Sequence, residues 1–227
     1  MANPPSLGEA RKRSVDNLQR LYTVVVSLAI TELLKRLFHP AADAPKAGLS
    51  EWLMLTSFIV TIIPFYHGAN RYLDATYVTG ERSAKHGALM LDFIALFLEG
   101  ILLFVLGLFA SNATIFYTIL GALFVFDAAW VGLTRLTTNG NESVASYVKW
   151  AGVNVVAALA VTGASWTTFF KTPEREAAFL TIICVFRTVY DYYSVWSFYY
   201  PPDADKDLMM FAAPRPAMPD LPSQGND

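Results

Sequence analysis

Five carboxylates in this chain sit where carboxylates are costly. Glu32, Asp92, Glu99, Asp127 and Asp191 all fall inside long apolar runs, and the base that shares that setting is Arg187. A charged side chain at bilayer depth costs about 2.5–3.5 kcal/mol on insertion scales, so each such group needs a partner or a use. Buried acids in excess over bases support two kinds of chemistry. They pass protons between them, or they hold a small cation whose charge balances theirs.

Spacing groups these residues. Thr181, Cys184, Arg187, Thr188, Asp191 and Ser194 recur at intervals of three and four, so they share one helical face, whereas Phe179, Ile182, Ile183, Phe186, Tyr193 and Trp196 occupy the others. Arg187 and Asp191, four apart, are placed to pair. Asp92 and Glu99 are seven apart on one face, about 10 Å along the axis. Alternating helix directions put Asp92 at the depth of Asp127, Asn154 and Asp191, and Glu99 near Arg187. The expectation is an acidic cluster around one base, with Glu32 further along the first run.

A second constellation comprises His67, Asn70, Arg71 and Asp74 at i, i+3, i+4 and i+7, a polar stripe at the end of the second run. It reads as a gate or mouth, although any helix that emerges into water turns polar. Pro64 just upstream removes the donor that the carbonyl of Val60 would use and predicts a hinge there.

The elements that position these residues are six apolar runs, Leu18–Phe38, Glu51–Arg71, Gly87–Ala110, Ala113–Arg135, Tyr147–Phe169 and Ala177–Tyr199. Each is about 30 Å long or more as a helix, the thickness of a hydrocarbon core. Hydrophobic residues make up 54% of the 227 and charged residues 16%, against about 25% charged in a globular domain. The runs lack the alternation of barrel strands, so the fold class expected is all-α, an integral membrane bundle of six transmembrane helices. Residues 1–17 read as a cytoplasmic lead with a capping run at Ser14–Asn17, 18–200 as the bundle, and 201–227 as a disordered, Pro-rich cytoplasmic tail. Small residues on the fifth run, including Gly152, Ala157, Ala160 and Gly163, predict close helix packing, and the aromatics Tyr190, Tyr192, Tyr193, Trp196, Tyr199 and Tyr200 predict an interfacial belt.

Basic residues orient the bundle. Arg11, Lys12, Arg13, Arg20, Arg71, Arg82, Lys85, Arg135, Lys149, Lys206 and Arg215 fall on the side of the termini, against Lys35, Arg36, Lys46, Lys171 and Arg175 on the other, eleven to five. The positive-inside rule then places both termini in the cytoplasm. No cleavable signal peptide is expected before the first run. A lone cysteine, Cys184, allows no intrachain disulfide.

Hydrolase and phosphate-loop signatures are missing from the sequence, His39, His67 and His86 are far apart, and His67 with Asp74 is too few ligands for a metal site. Neither an enzyme nor a cofactor is expected. The count of six helices in a short chain, with Ser57, Phe58, Ile59 and Val60 followed by His67, resembles the bacterial relatives of the lysosomal potassium channel. That family carries on its first helix an Arg followed four residues later by Phe-Ser-Asp. Here Arg20 is followed by Val24, Val25 and Val26. The resemblance implies a cation channel and carries over only His67.

The function expected is conduction or transport of a small cation or protons, with Glu99, Asp127, Asp92, Asp191 and Glu32 on the pathway and Arg187 as counter-charge. His67, Asn70, Arg71 and Asp74 form the cytoplasmic mouth. The alternative is a non-catalytic membrane effector or anchor whose termini recruit a cytoplasmic protein. The partners implied are the lipid bilayer and a small cation or proton, with room for a homo-oligomer and for that protein at the termini; nothing points to nucleic acid. A cysteine introduced at Ala41 or Ala42, with Cys184→Ala, should react with a membrane-impermeant maleimide on intact cells. Labelling only after permeabilisation would reverse the orientation.

Overall fold

An apolar run of about 20 residues satisfies its backbone by coiling on itself. In the computed structural model, which describes residues 7–38, 46–79, 82–85, 87–140, 144–167, 170 and 172–200, these runs are helices. They are α1 (Leu7–Phe38), α2 (Leu49–Leu73), α3 (Ala88–Leu108), α4 (Ala113–Thr137), α5 (Val144–Ser165), α6 (Pro173–Ser194) and the short α7 (Trp196–Tyr199). A π-helical turn, Asp74–Val78, prolongs α2. Its wide ring is closed by the Thr79 amide, which donates to the Asp74 carbonyl at 2.9 Å. Three-residue strands β1 (Arg82–Ala84) and β2 (Thr138–Gly140) pair antiparallel, Ala84 opposite Thr138. Apart from this ribbon the described residues are all-α.

Among the described residues, four helical stretches, Leu49–Val78, Ala88–Leu108, Ala113–Thr137 and Val148–Ser165, are long and apolar enough to cross a membrane. The outer surface of the bundle carries many large apolar side chains, Val24, Leu28, Phe97, Val156, Phe186 and Val189 among them. A surface of that kind suits lipid.

The helices close into a ring. α1 packs on α2 and α3, α3 on α4, α4 on α5, α5 on α6, and α6 returns to α2. Cross-helix contacts give the directions: Ser57 meets Thr181 and His67 meets Tyr192, so α2 and α6 run parallel. Thr118 meets Trp166 and Asp127 meets Asn154, so α4 and α5 run antiparallel.

Close approach of α4 and α5 depends on Gly121, where a Cβ would lie 2.1 Å from Thr162 Oγ1. Opposite it, the small residues Ala157 and Ala158 are buried. The expected packing face of α5 is therefore correct in kind, but its glycines are not the contact, since Gly152 and Gly163 face open space. Pro64 does not break α2, which runs continuously from Leu49 to Leu73. The Val60 carbonyl left without its helical donor accepts instead from Thr188 Oγ1 of α6 at 2.9 Å.

The start of α1 departs from expectation. The helix begins at Leu7, so Ser14–Asn17 lie inside it, and Ser14 Oγ donates to the Ala10 carbonyl at 3.1 Å rather than capping. The reason is packing: Val15 and Leu18 are buried in the core. Residues 201–227, read as a tail, lie outside the described residues, as do His39 and His86. Gly121→Ala should cost about 1–3 kcal/mol through overpacking. Thr162→Ala, which removes the clashing oxygen, should restore most of that in thermal unfolding of the double variant.

Candidate functional site

Asn154 is the hub of the ring interior. Its Oδ1 accepts from Arg187 Nε at 2.9 Å and from Nη2 at 2.6 Å, while its amide donates to Asp127. One neutral side chain from α5 thus joins a base on α6 to an acid on α4. Arg187 Nη1 lies 3.8 Å from Asp191 Oδ2, and the Tyr199 hydroxyl donates to that same oxygen at 2.9 Å. The guanidinium carbon is 4.9 Å from the centre of the Phe65 ring and 5.3 Å from that of Phe124, so α2 and α4 supply cation–π contacts.

Glu99 on α3 completes the set. It accepts from the Tyr22 hydroxyl of α1 and faces the charges of Asp127 and Arg187. All six long helices therefore contribute to one interior, from which water is nearly excluded: Glu99, Asn154 and Asp191 are 0% exposed, Arg187 3% and Asp127 5%. Three carboxylates face one guanidinium. Three polar atoms, Glu99 Oε2, Asp191 Oδ1 and Arg187 Nη1, have no hydrogen-bond partner there.

The expected grouping needs two corrections. Asp92 does not join the network; it is held by the Tyr77 hydroxyl at 2.6 Å and Trp130 Nε1 at 3.0 Å, near the ribbon end of the ring. The seven-residue spacing from Glu99 gave a common face, but the length of two helical turns carries Asp92 into a different pocket. Glu32 is not in the interior either. It pairs with Arg36 at 3.3 Å and Lys35 at 4.0 Å at the far end of α1, where its side chain is 22% exposed.

The mouth constellation divides between two neighbours. His67 Nδ1 is 3.1 Å from the Tyr192 hydroxyl, its ring packs 4.7 Å from that of Tyr199, and Arg71 Nε donates to the Phe198 carbonyl at 2.9 Å. Asp74 turns to α1 and accepts from Gln19 Nε2 at 3.0 Å; Asn70 donates to the Tyr66 carbonyl at 2.8 Å. Between α1 and α2 lies an open groove of about 500 Å³ lined by Gln19, Arg20, Thr23, Tyr66, His67, Asn70 and Asp74.

Tyr199 links groove and interior, since it bonds Asp191 and stacks on His67. Its expected place in an interfacial belt is wrong: it is 3% exposed. Tyr22, Tyr77 and Trp130 were also missed as partners of the acids. The signal available was general, that a buried phenol or indole seeks an acceptor.

Among the described residues no three His, Cys, Asp or Glu side chains converge to hold a metal ion. No protein-family model, curated protein or solved structure matches the chain.

Arg187→Leu should leave buried acids uncompensated and cost about 3–5 kcal/mol. Combining it with Asp191→Leu should recover part of that loss in detergent thermal unfolding. A double variant no better than the worse single one would show that the two charges do not couple.

Proposed function

We propose that the chain is a six-helix integral membrane protein that moves protons through the interior of its helix ring. The observation that carries this reading is the buried network Tyr199–Asp191–Arg187–Asn154–Asp127, with Tyr22–Glu99 beside it. A fold that needed only packing would fill that volume with apolar side chains at no desolvation cost.

Charge balance favours protons over a metal ion. Three acids against one permanent cation leave two charges to neutralise, and protons do this without a coordination shell. The spare oxygens Glu99 Oε2 and Asp191 Oδ1 are acceptors with no donor in contact, which is where such protons would sit. A small monovalent cation is the alternative cargo of the same site.

α1 and α6 complete the six spans in this reading. Within the apolar runs of these helices the charges either face the ring interior or lie toward the ends of the run, while Val24, Leu28, Ile182 and Phe186 face outward. Both termini are cytoplasmic by the distribution of basic residues, so the groove at His67 and Asn70 opens to the cytoplasm. Glu99, Asp127 and Asp191 carry the protons, Arg187 is their counter-charge, and His67 gates the mouth. Asp92 and Glu32 take no part.

Proteoliposomes with an internal pH dye test this against a membrane anchor. The wild-type chain should dissipate an imposed pH gradient, and Glu99→Gln or Asp127→Asn should slow it roughly tenfold while thermal stability holds or rises. Asp92→Asn should change the rate less than about twofold. A wild-type protein that leaves the gradient intact, or rates unchanged in Glu99→Gln and Asp127→Asn, would leave the anchor as the better account.

A further inference from the structure

The proton reading describes a route from the cytoplasmic groove to mid-bundle, and a transporter needs a way out on the opposite face. We infer that the hydroxyls of Ser57, Tyr117 and Thr181 form the outward half of the route, with Glu176 at its outer end. This rests on the proton reading.

The three hydroxyls meet at the seam of α2, α4 and α6. Ser57 Oγ is 3.1 Å from the Tyr117 hydroxyl and 2.9 Å from Thr181 Oγ1, and in each pair either oxygen can donate. Ser57 and Tyr117 are 0% exposed and Thr181 7%. Backbone carbonyls anchor the set: Thr181 donates to Ala177 at 2.7 Å or Leu53 at 3.0 Å, and Tyr117 to Ala177 at 3.2 Å. A hydroxyl with alternative acceptors accepts one proton on its lone pair while releasing its own to the next oxygen, so no member of the chain ends up charged.

Polar groups continue the set at both ends. Toward the network stands Thr61, whose hydroxyl lies beside the Cys184 thiol. Cys184 precedes Arg187 by three residues, about 4.5 Å along α6, and the proposed route needs one water molecule in that gap. At the outer end stands Glu176 on the first turn of α6. Its charge reaches Tyr117, it is partly exposed, and its Oε1 has no partner. Thr181, Cys184, Arg187 and Asp191 share the buried face of α6, and Glu176 stands outward of them. Serine and threonine also hold helices together in membranes, so a role in packing is the rival explanation.

Thr181 separates the two. Thr181→Val keeps the shape and removes the hydroxyl; Thr181→Ser keeps the hydroxyl and removes a methyl. Proton flux in proteoliposomes should fall roughly tenfold in Thr181→Val and in Ser57→Ala, and Thr181→Ser should restore most of it even where its melting temperature is the lower of the two. Glu176→Gln should slow flux driven from the outer face more than flux driven from the cytoplasmic face. A packing role predicts that flux follows melting temperature instead, and that result would overturn the inference. If the wild-type chain carries protons and Glu99→Gln blocks them while Thr181→Val does not, only the outward half fails. Should the wild-type chain carry none, the inference falls together with the proton reading.

Discussion

A guanidinium cannot give up its charge, and Arg187 keeps its own in the centre of an apolar helix ring. An acid in the same place could be neutralised by a proton; an arginine has to be surrounded. The surroundings come from every side: Asn154 from α5, Asp191 from the next turn of α6, Phe65 from α2 and Phe124 from α4. Asp127 is then drawn in through Asn154, and Glu99 faces the pair. Sliding any of these helices by one residue would take its side chain away from the cation. The network therefore sets the registry of the ring, and whatever chemistry it performs is built from the same contacts that align the helices.

The parallel seam between α2 and α6 shows how the ring tolerates breaks in ordinary helical bonding. A proline in α2 frees a carbonyl at Val60, and a threonine on α6 takes it. Lower on the same seam the hydroxyls of Tyr192 and Tyr199 reach His67 and Asp191. Side-chain hydroxyls here do the work that water does for a soluble protein. This pair of helices thereby carries polar side chains along much of its length, from the Ser57–Thr181 contact to the His67–Tyr192 contact.

Much of this could be read from residue order. Helices α2 to α5 follow from run length and composition, and the polar face of α6 from spacings of three and four, which place Arg187, Asp191, Thr181 and Cys184 inward together. What periodicity cannot supply is the neighbour. Asp92 and Glu99 share a face, yet each depends on aromatic partners far away in sequence, Tyr77 and Trp130 for one and Tyr22 for the other. Glu32 looked buried because the run around it is apolar, but helix-end lysine and arginine residues were close enough to take it. The start of α1 was missed for a related reason: a basic, polar stretch reads as a lead until Val15 and Leu18 find a surface to pack on. Tertiary contact decided each of these, and a single sequence carries no direct trace of it.

The ribbon of β1 and β2 has a mechanical side. One strand ends just before α3 and the other begins where α4 stops, so their pairing ties together the two feet of the α3–α4 hairpin. A hairpin tied at its feet moves as one rigid arm rather than as two helices that slip past each other. Glu99 and Asp127 ride on that arm, while Tyr22, Asn154 and Arg187 are carried by its neighbours. Any rocking of the arm about the ribbon would make or break both acid contacts in a single stroke.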